Sequence, residues 1–355
     1  MAIDVGERKG IVRSLYHFIG DSIPWLDGRP LLPLLAELWH YPRYAGMLRP
    51  NTPSGARAYH KVMRRLFARE NAERARLGDR LTAGGSDRIE PDKGYLLRSL
   101  GDHPAVRDCL ARCDEIRADP NFERALQNHG APMLRTYQLR QDVPENEPIF
   151  RLATDPILLA PIADYLGGIP VLQAAAISYS PNREFAGQSQ CFHLDKDDYR
   201  QIKCNIYLED IDEESGPMTL VPSDGSRRIF DRLHRQGVAP NRSIYLDDKH
   251  VVPPGSAEDV IPLCGPRGSV ALVDTCNCFH YGSRPSQKAR LTLYLQYVSA
   301  FAVSLPLWGR RIEDHGLARV DSREADRIRT LVLGLSHHGL QRVKRQHRVI
   351  PVAGT

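Results

Sequence analysis

The sequence has no long apolar run of the kind that crosses a membrane. Its longest apolar stretch, from Leu31 to Trp39, is interrupted by Pro33 and Glu37, and it falls far short of the roughly 20 residues that a spanning helix needs. The first ten residues carry charges of both signs and lead into no apolar segment with a cleavage site, so we recognise no secretion signal. We therefore expect no membrane span and a cytoplasmic location.

Cysteine is scarce. There are seven cysteines in 355 residues, and an odd number without a secretion signal favours reduced thiols over a disulfide framework. Cys276 and Cys278 invite a zinc or redox interpretation, but their Cys-x-Cys spacing lacks the Cys-x2-Cys turn that structural zinc sites favour. We expect these two side chains to be small buried groups of the core.

Neither sign of charge dominates. The 48 basic residues exceed the 43 acidic ones by five, an excess too small and too dispersed to indicate nucleic-acid binding. A hydrophobic content of 42% with 26% charged residues is typical of a globular protein rather than a disordered chain. The composition therefore predicts a folded protein whose partner is a small molecule, with an anionic one as a candidate.

The predicted elements divide the chain into three parts. Residues 1–138 show apolar residues at helical spacing and predict a helical N-terminal region that packs on the rest. Residues 139–305 contain many short strand patterns, with a long Arg- and Pro-rich insertion at 223–267 that we read as a functional loop. Residues 306–355 return to helix. Such an order indicates an α+β fold with an all-β unit at its centre.

One helix in the central part has readable start and stop signals. Asp155 fits its N-cap, Pro156 its first turn and Gly167 its end, which predicts a helix over 156–166. After it, short runs bounded by turn residues predict strands. They are Val171 to Ser180, Cys191 to Leu194, Ile202 to Leu208, Met218 to Val221, Ser269 to Val273 and Leu291 to Val298.

A candidate metal site begins with the motif His193-Leu194-Asp195 at the end of a predicted strand. Side chains two apart on a strand point to the same face, so His193 and Asp195 can converge on one ion. A second imidazole, His280, follows the predicted strand that starts at Ser269. Two histidines and one carboxylate form the facial triad of non-haem iron oxygenases, which leaves coordination positions open.

The short His-x-Asp motif is weak by itself, because 13 histidines and 43 acidic residues give about 1.6 pairs of a histidine with an acid two places on by chance. Its weight comes from Arg290, ten residues after His280 and at the start of the last predicted strand. A guanidinium placed there can grip the distal carboxylate of a dicarboxylic acid with two hydrogen bonds. The ordered set is much less frequent by chance than the motif alone.

At these residues the sequence resembles the phytanoyl-CoA dioxygenase family of iron- and 2-oxoglutarate-dependent enzymes. The resemblance covers about residues 174–300. Its strongest blocks are QIKCNIYLEDIDEESGPMTLVPSDGSR and GSVALVDTCNCFHYGSRPSQKARLTLYLQY. Two positions depart from the family pattern: the turn at 222–227 lacks the family's histidine, and Gly282 stands where many members place a small hydroxyl residue, with Ser283 one place later.

The resemblance implies specific roles and a specific fold. His193, Asp195 and His280 become the ligands of Fe(II), and Arg290 becomes the anchor of 2-oxoglutarate. The implied fold is a double-stranded β-helix, a jelly-roll of the cupin type with flanking helices. We also expect Asn205, on a strand that lines the barrel, and Ser283 to contact the co-substrate, although a purely structural role for Asn205 is equally compatible with its position.

The implied activity uses Fe(II), 2-oxoglutarate and O2 to oxidise a C–H bond of a small molecule, a specialised metabolite or a lipid-like compound, with release of succinate and CO2. Related halogenases replace the carboxylate ligand by a small residue, so Asp195 favours hydroxylation over chlorination. Desaturation, cyclisation and epimerisation at the same site stay open as alternatives. A third hypothesis, from another class, is a non-catalytic jelly-roll binding protein.

Overall fold

The computed structural model describes residues 53–85, 87–128, 134–181, 187–238, 245–253, 259–302, 304–305 and 324–334. The apolar stretch Leu31 to Trp39 and most of the predicted helical tail at 306–355 lie outside these residues. Among the described residues, no helix is both long and apolar enough to cross a membrane.

The described residues contain α-helices of 4 to 15 residues. They are α1 (Pro53–Leu66), α2 (Ala68–Thr82), α3 (Pro104–Ala118), α4 (Phe122–Ala125), α5 (Glu147–Ala153), α6 (Pro156–Leu166), α7 (Ser223–Arg235), α8 (Asp248–Val251) and α9 (Glu324–Leu333). The predicted helix over 156–166 is confirmed together with its signals. Asp155 accepts a hydrogen bond from the Ile157 N–H at 2.9 Å, and Gly167 ends the helix with a φ of 76°, a left-handed conformation that glycine adopts without strain.

The strands form two antiparallel sheets. They are β1 (Tyr95–Ser99), β2 (Gln127–Asn128), β3 (Arg135–Gln138), β4 (Val171–Ser180), β5 (Gln201–Tyr207), β6 (Thr219–Leu220), β7 (Ile261–Pro262), β8 (Ser269–Asp274), β9 (His280–Tyr281) and β10 (Arg290–Val298). The larger sheet has the order β1-β8-β5-β10-β4-β3-β2, and the smaller one the order β7-β6-β9. The predicted α+β fold with a double-stranded β-helix core is confirmed.

The expectation that residues 1–138 are helical is wrong in part. The strands β1, β2 and β3 lie within this range and extend both edges of the larger sheet. Five residues or fewer in each strand give too short an alternation to be recognised, and their strand conformation depends on neighbours that are distant in sequence. β1, for example, pairs with β8 along its whole length. The N-terminal part therefore contributes directly to the barrel.

Two other expectations need correction. The segment Cys191 to Leu194 is not a regular strand, because only Phe192 and His193 pair, one with Leu246 and the other with His280. The insertion at 223–267 is not a continuous loop, since α7 covers its first 13 residues. The α7 side chains of Ile229, Phe230 and Leu233 are buried in a small apolar cluster, so this helix is held by packing against the barrel.

The two faces of the larger sheet have different surroundings, as β5 illustrates. Ile202, Cys204 and Ile206 are fully buried in the main core, which the flanking helices share. Because side chains alternate along a strand, Lys203 and Asn205 point to the opposite face. That face is turned toward the smaller sheet and is the wall on which the candidate site is built.

All seven cysteines are free thiols. Cys276 and Cys278 are fully buried, and the Cys278 sulfur lies 3.5 Å from the Lys93 carbonyl oxygen. Both behave as the small core side chains that their spacing predicts.

Candidate metal centre

The three predicted ligands meet between the two sheets. Ligand atoms of His193, Asp195 and His280 all lie within 4.8 Å of one another. Nε2 of His193 is 3.8 Å from Oδ1 of Asp195, and Nε2 of His280 is 3.9 Å from Oδ2 of the same carboxylate. Two nitrogens and one oxygen in this arrangement suit a divalent transition metal of the iron type.

The backbone explains why residues 87 positions apart become neighbours. His193 and His280 form an isolated antiparallel bridge, in which each N–H donates to the carbonyl oxygen of the other at 3.1 Å. Their rings lie with centroids 4.2 Å apart. Asp195 is fixed in turn by its N–H, which donates to the Thr275 carbonyl at 2.9 Å. The ligand set is therefore held by the main chain.

Each imidazole is oriented by the carbonyl oxygen two residues before it. Nδ1 of His193 is 3.0 Å from the Cys191 oxygen, and Nδ1 of His280 is 3.0 Å from the Cys278 oxygen. A proton on Nδ1 leaves the Nε2 lone pair directed at the metal position. Burial lowers the pKa of both imidazoles, most strongly that of His280, which favours the neutral form that binds metals.

Asp195 is bound by two further side chains. Nζ of Lys203 lies 2.6 Å from Oδ2, and the Gln201 amide donates to the same oxygen at 2.7 Å. Burial alone would raise the pKa of Asp195, but the ammonium of Lys203 outweighs this effect, and the pKa is lowered well below its usual value. The carboxyl group is thus ionised and ready to bind a cation.

Arg290 is half-buried and lacks an acidic partner among the described residues. Its guanidinium donates to the Gly216 carbonyl at 2.8 Å and to Oγ of Ser283 at 2.9 Å. Burial lowers the pKa of Arg290 to about 10, so it stays charged at neutral pH. A buried cation that contacts only neutral acceptors is costly unless an anion joins it. Arg290 therefore fits the distal carboxylate of a dicarboxylic acid.

The departure at Gly282 has a structural reason. A Cβ at this position would lie 3.2 Å from Nη2 of Arg290, so glycine leaves space for the guanidinium. Ser283 follows with a φ of 59°, which few residues other than glycine adopt. This turn aims the Ser283 hydroxyl at Arg290, so the hydroxyl lies one position later than in the family pattern.

Asn205 provides an unused hydrogen-bond donor. Its Nδ2 is buried without a hydrogen-bond partner among the described residues, and its Cα is paired with that of Tyr294 on β10. Leaving a buried amide donor unsatisfied costs about 1–3 kcal/mol. The donor lies on the same strand face as Lys203 and fits an acceptor oxygen of a bound ligand.

Three residues near the metal position were not singled out from the sequence. Lys203 and Gln201 share a strand face with Asn205, so the alternation that indicates Asn205 also contained the signal for both. Tyr245, from the insertion, has its ring centroid 5.4 Å from that of His193 while 56% of the residue is exposed. No motif marks Tyr245, because the insertion has no recognisable pattern.

Two arginines of the insertion are engaged away from the metal position. Arg228 pairs with Asp224 at 2.8 Å, and Arg232 donates to the carbonyl oxygens of His250 and Val251. Asp248 of the insertion pairs with Arg284, which follows the insertion in the chain and lies over the Tyr281 ring. These contacts stabilise the insertion against the barrel.

No protein-family model matches the chain. The chain is 26% identical over 248 residues to the ectoine dioxygenase of Bordetella parapertussis, and the alignment covers 63% of this chain and 77% of that protein. The chain is similar to an oxygenase. Because no family model matches, the narrower resemblance to the phytanoyl-CoA dioxygenase family stays a prediction.

Two solved structures are similar at low identity. EctD from S. alaskensis with 2-oxoglutarate and 5-hydroxyectoine has a TM-score of 0.41 and 15% identity, with coverage of 68% of this chain and 93% of EctD. The epimerase SnoN in complex with Fe3+, alpha ketoglutarate and nogalamycin RO has a TM-score of 0.41 and 19% identity, with coverage of 63% of this chain and 84% of SnoN.

Proposed function

We propose that this chain is a non-haem Fe(II)- and 2-oxoglutarate-dependent dioxygenase that hydroxylates a C–H bond of a small molecule and releases succinate and CO2. The observation that carries the proposal is Arg290, a half-buried cation without an acidic partner among the described residues, in the same barrel as a two-histidine, one-carboxylate cluster. The ectoine dioxygenase relative has an activity of the same class.

The donor set fits ferrous iron. His193 and His280 supply neutral imidazoles, and Asp195 supplies an ionised carboxylate, so three ligands would hold the metal and leave positions for co-substrate and oxygen. Bound iron would supply the activation of oxygen that protein side chains cannot. The chain contributes orientation: two carbonyl oxygens fix the imidazoles, while Gln201 and Lys203 fix the carboxylate.

The remaining polar groups fit 2-oxoglutarate. Arg290 would bind its distal carboxylate, and Ser283 would hold the guanidinium in position through the hydrogen bond at 2.9 Å. Asn205 would donate its free Nδ2 hydrogens to a carboxylate oxygen, which satisfies an otherwise unpaired buried group. Ser283 thus acts on 2-oxoglutarate through Arg290, and Asn205 acts by direct contact.

The lining of the barrel supports a small, polar substrate over a lipid-like one. Cross-strand partners share a face of the sheet, so the register places Ala176, Tyr294 and Asn205 on the inner wall together. The neighbouring inner positions are also small or polar: Ala174, Ser178, Thr292, Gln296 and Lys203. Pockets for acyl chains are lined mainly by large apolar side chains.

A direct test is succinate formation from 2-oxoglutarate under air. We expect slow turnover without a substrate, complete dependence on added ferrous iron, loss with a chelator and recovery when iron is returned. A compound that accelerates succinate formation identifies a substrate, and the product's mass then separates hydroxylation, which adds one oxygen atom, from desaturation or epimerisation. A protein that neither consumes 2-oxoglutarate nor binds it would contradict the proposal and favour a non-catalytic binding protein.

A further inference from the structure

The side chain of Lys203 lies directly against the carboxylate that we assign as a metal ligand. We propose that Lys203 is a positioning residue that restricts Asp195 to binding the metal through one oxygen and that weakens the affinity of the site for divalent metal ions. The inference rests on the proposed function, because it concerns the same metal centre.

The hydrogen bonds to Asp195 are unequally divided between its oxygens. Lys203 and Gln201 both contact Oδ2, at 2.6 and 2.7 Å, and no described residue donates to Oδ1. Oδ1 lies 3.8 Å from Nε2 of His193. A metal that used both oxygens would have to displace two donors from Oδ2. Binding through Oδ1 keeps both hydrogen bonds, so the arrangement selects a one-oxygen ligand.

Lys203 is set deep in the barrel. Its side chain is 18% exposed and that of Asp195 is 15% exposed, and the strand neighbours that pair with Lys203 are Val273 and Gln296. Water screens charges poorly at such positions, so an ammonium beside the ligand acts strongly on any ion that the ligand binds. Asp197 also acts electrostatically on Lys203, but the hydrogen bond and the ion pair within 4 Å are formed with Asp195.

Structural stabilisation alone does not account for a lysine here. Gln201 also donates to Oδ2 and to the Thr275 hydroxyl at 2.7 Å, so it shares in orienting the carboxylate without bringing a charge. Burying an ammonium costs several kcal/mol, which its partner only partly offsets. The added feature of Lys203 is its positive charge, and that charge opposes a second cation at Asp195.

The test measures metal binding without 2-oxoglutarate, by calorimetric titration with Ni2+ at one fixed pH. Lys203→Met should bind Ni2+ on the order of tenfold more tightly than the unchanged protein, because a like charge near the metal has been removed. Lys203→Gln should behave in the same way, while Lys203→Arg should stay within about twofold of the unchanged protein because it keeps the charge. Gln201→Leu removes a neutral donor from the same oxygen and should not tighten binding.

Thermal melts identify variants that fail to fold, and Lys203→Gln, which keeps a hydrogen-bond donor, stands in if Lys203→Met is unstable. The absorption spectrum of the Co2+ protein reports the coordination of the metal. We expect this spectrum to change when Lys203 is replaced, because a charge effect without repositioning of Asp195 would leave it unchanged. Unchanged or weaker Ni2+ binding by both neutral variants would overturn the inference, as would equal tightening by Lys203→Arg. If the unchanged protein binds no metal at all, the proposed function itself fails.

Discussion

Replacing His193 by alanine should abolish iron-dependent turnover of 2-oxoglutarate. The imidazole is one of three ligands, and its neighbours cannot replace it, because His280 and Asp195 are each held by their own backbone hydrogen bonds. Loss of the metal removes several kcal/mol of stabilisation from the reaction, so we expect the rate to fall by roughly three orders of magnitude or more. Succinate formation measures the rate, and metal analysis of the purified protein measures iron retention.

The matched control for this variant is His234→Ala. His234 is an exposed histidine on α7, where it stacks on Phe230, so its loss removes an imidazole without touching the metal position. We expect its turnover and iron content to equal those of the unchanged protein. Robust turnover by His193→Ala would contradict the assignment of the ligands.

Replacing Arg290 by leucine should weaken 2-oxoglutarate binding far more than metal binding. A buried charge that loses its hydrogen-bonded counter-charge costs about 2–5 kcal/mol, so the KM for 2-oxoglutarate should rise by roughly a hundredfold or more. Arg290→Lys keeps the charge but loses the two-pronged geometry, and we expect about a tenfold rise. Asn205→Leu removes one neutral hydrogen bond, which corresponds to about a threefold to tenfold rise.

Two controls accompany the arginine variants. Ni2+ affinity without 2-oxoglutarate should be unchanged in Arg290→Leu, since Arg290 contacts Gly216 and Ser283 but none of the three ligands. Arg228→Leu removes an exposed arginine that pairs with Asp224 on α7, and it should leave the KM unchanged. An unaltered KM in Arg290→Leu would show that the distal carboxylate binds elsewhere.

The metal cluster was accessible from the sequence because its pattern is short and ordered. His193 and Asp195 are close in sequence, and the single distant member, His280, is fixed by its order before Arg290. What the sequence could not supply is the bridge that joins His193 to His280, since each segment finds its partner only in the folded barrel. The structure brings together the residues that the pattern indicates, but it does so through contacts between segments that are distant in sequence.

Other parts of the site depended on information that no motif carries. The contact between Lys203 and Asp195 depends on where β5 begins relative to the loop before it, and strand boundaries are hard to place from a single sequence. The contact of Ser283 with the co-substrate stays a prediction, and the hydrogen bond from Arg290 to its hydroxyl depends on an uncommon backbone conformation that the sequence does not indicate. The short strand β1 is stabilised by pairing with β8, a contact between residues far apart in the chain.

The structure of the insertion was also only partly predictable from the sequence. Its arginines and prolines suggested a loop, whereas the spacing of Ile229, Phe230 and Leu233 contained the helical signal of α7. Tyr245, in the middle of the insertion, lies beside His193 and is placed there by the pairing of Leu246 with Phe192. A single-residue pairing of this kind has no sequence signature.

The central claim is that one site binds Fe(II) and 2-oxoglutarate together. Its most direct test is the visible absorption spectrum of the protein under argon, with ferrous iron added first and 2-oxoglutarate second. A 2-oxoglutarate molecule that chelates ferrous iron through its keto acid group gives a charge-transfer band that neither component gives alone. We predict that the band appears with the unchanged protein and is absent with His193→Ala. A band of equal strength in both proteins, or none in the unchanged protein with saturating iron and 2-oxoglutarate, would contradict the account.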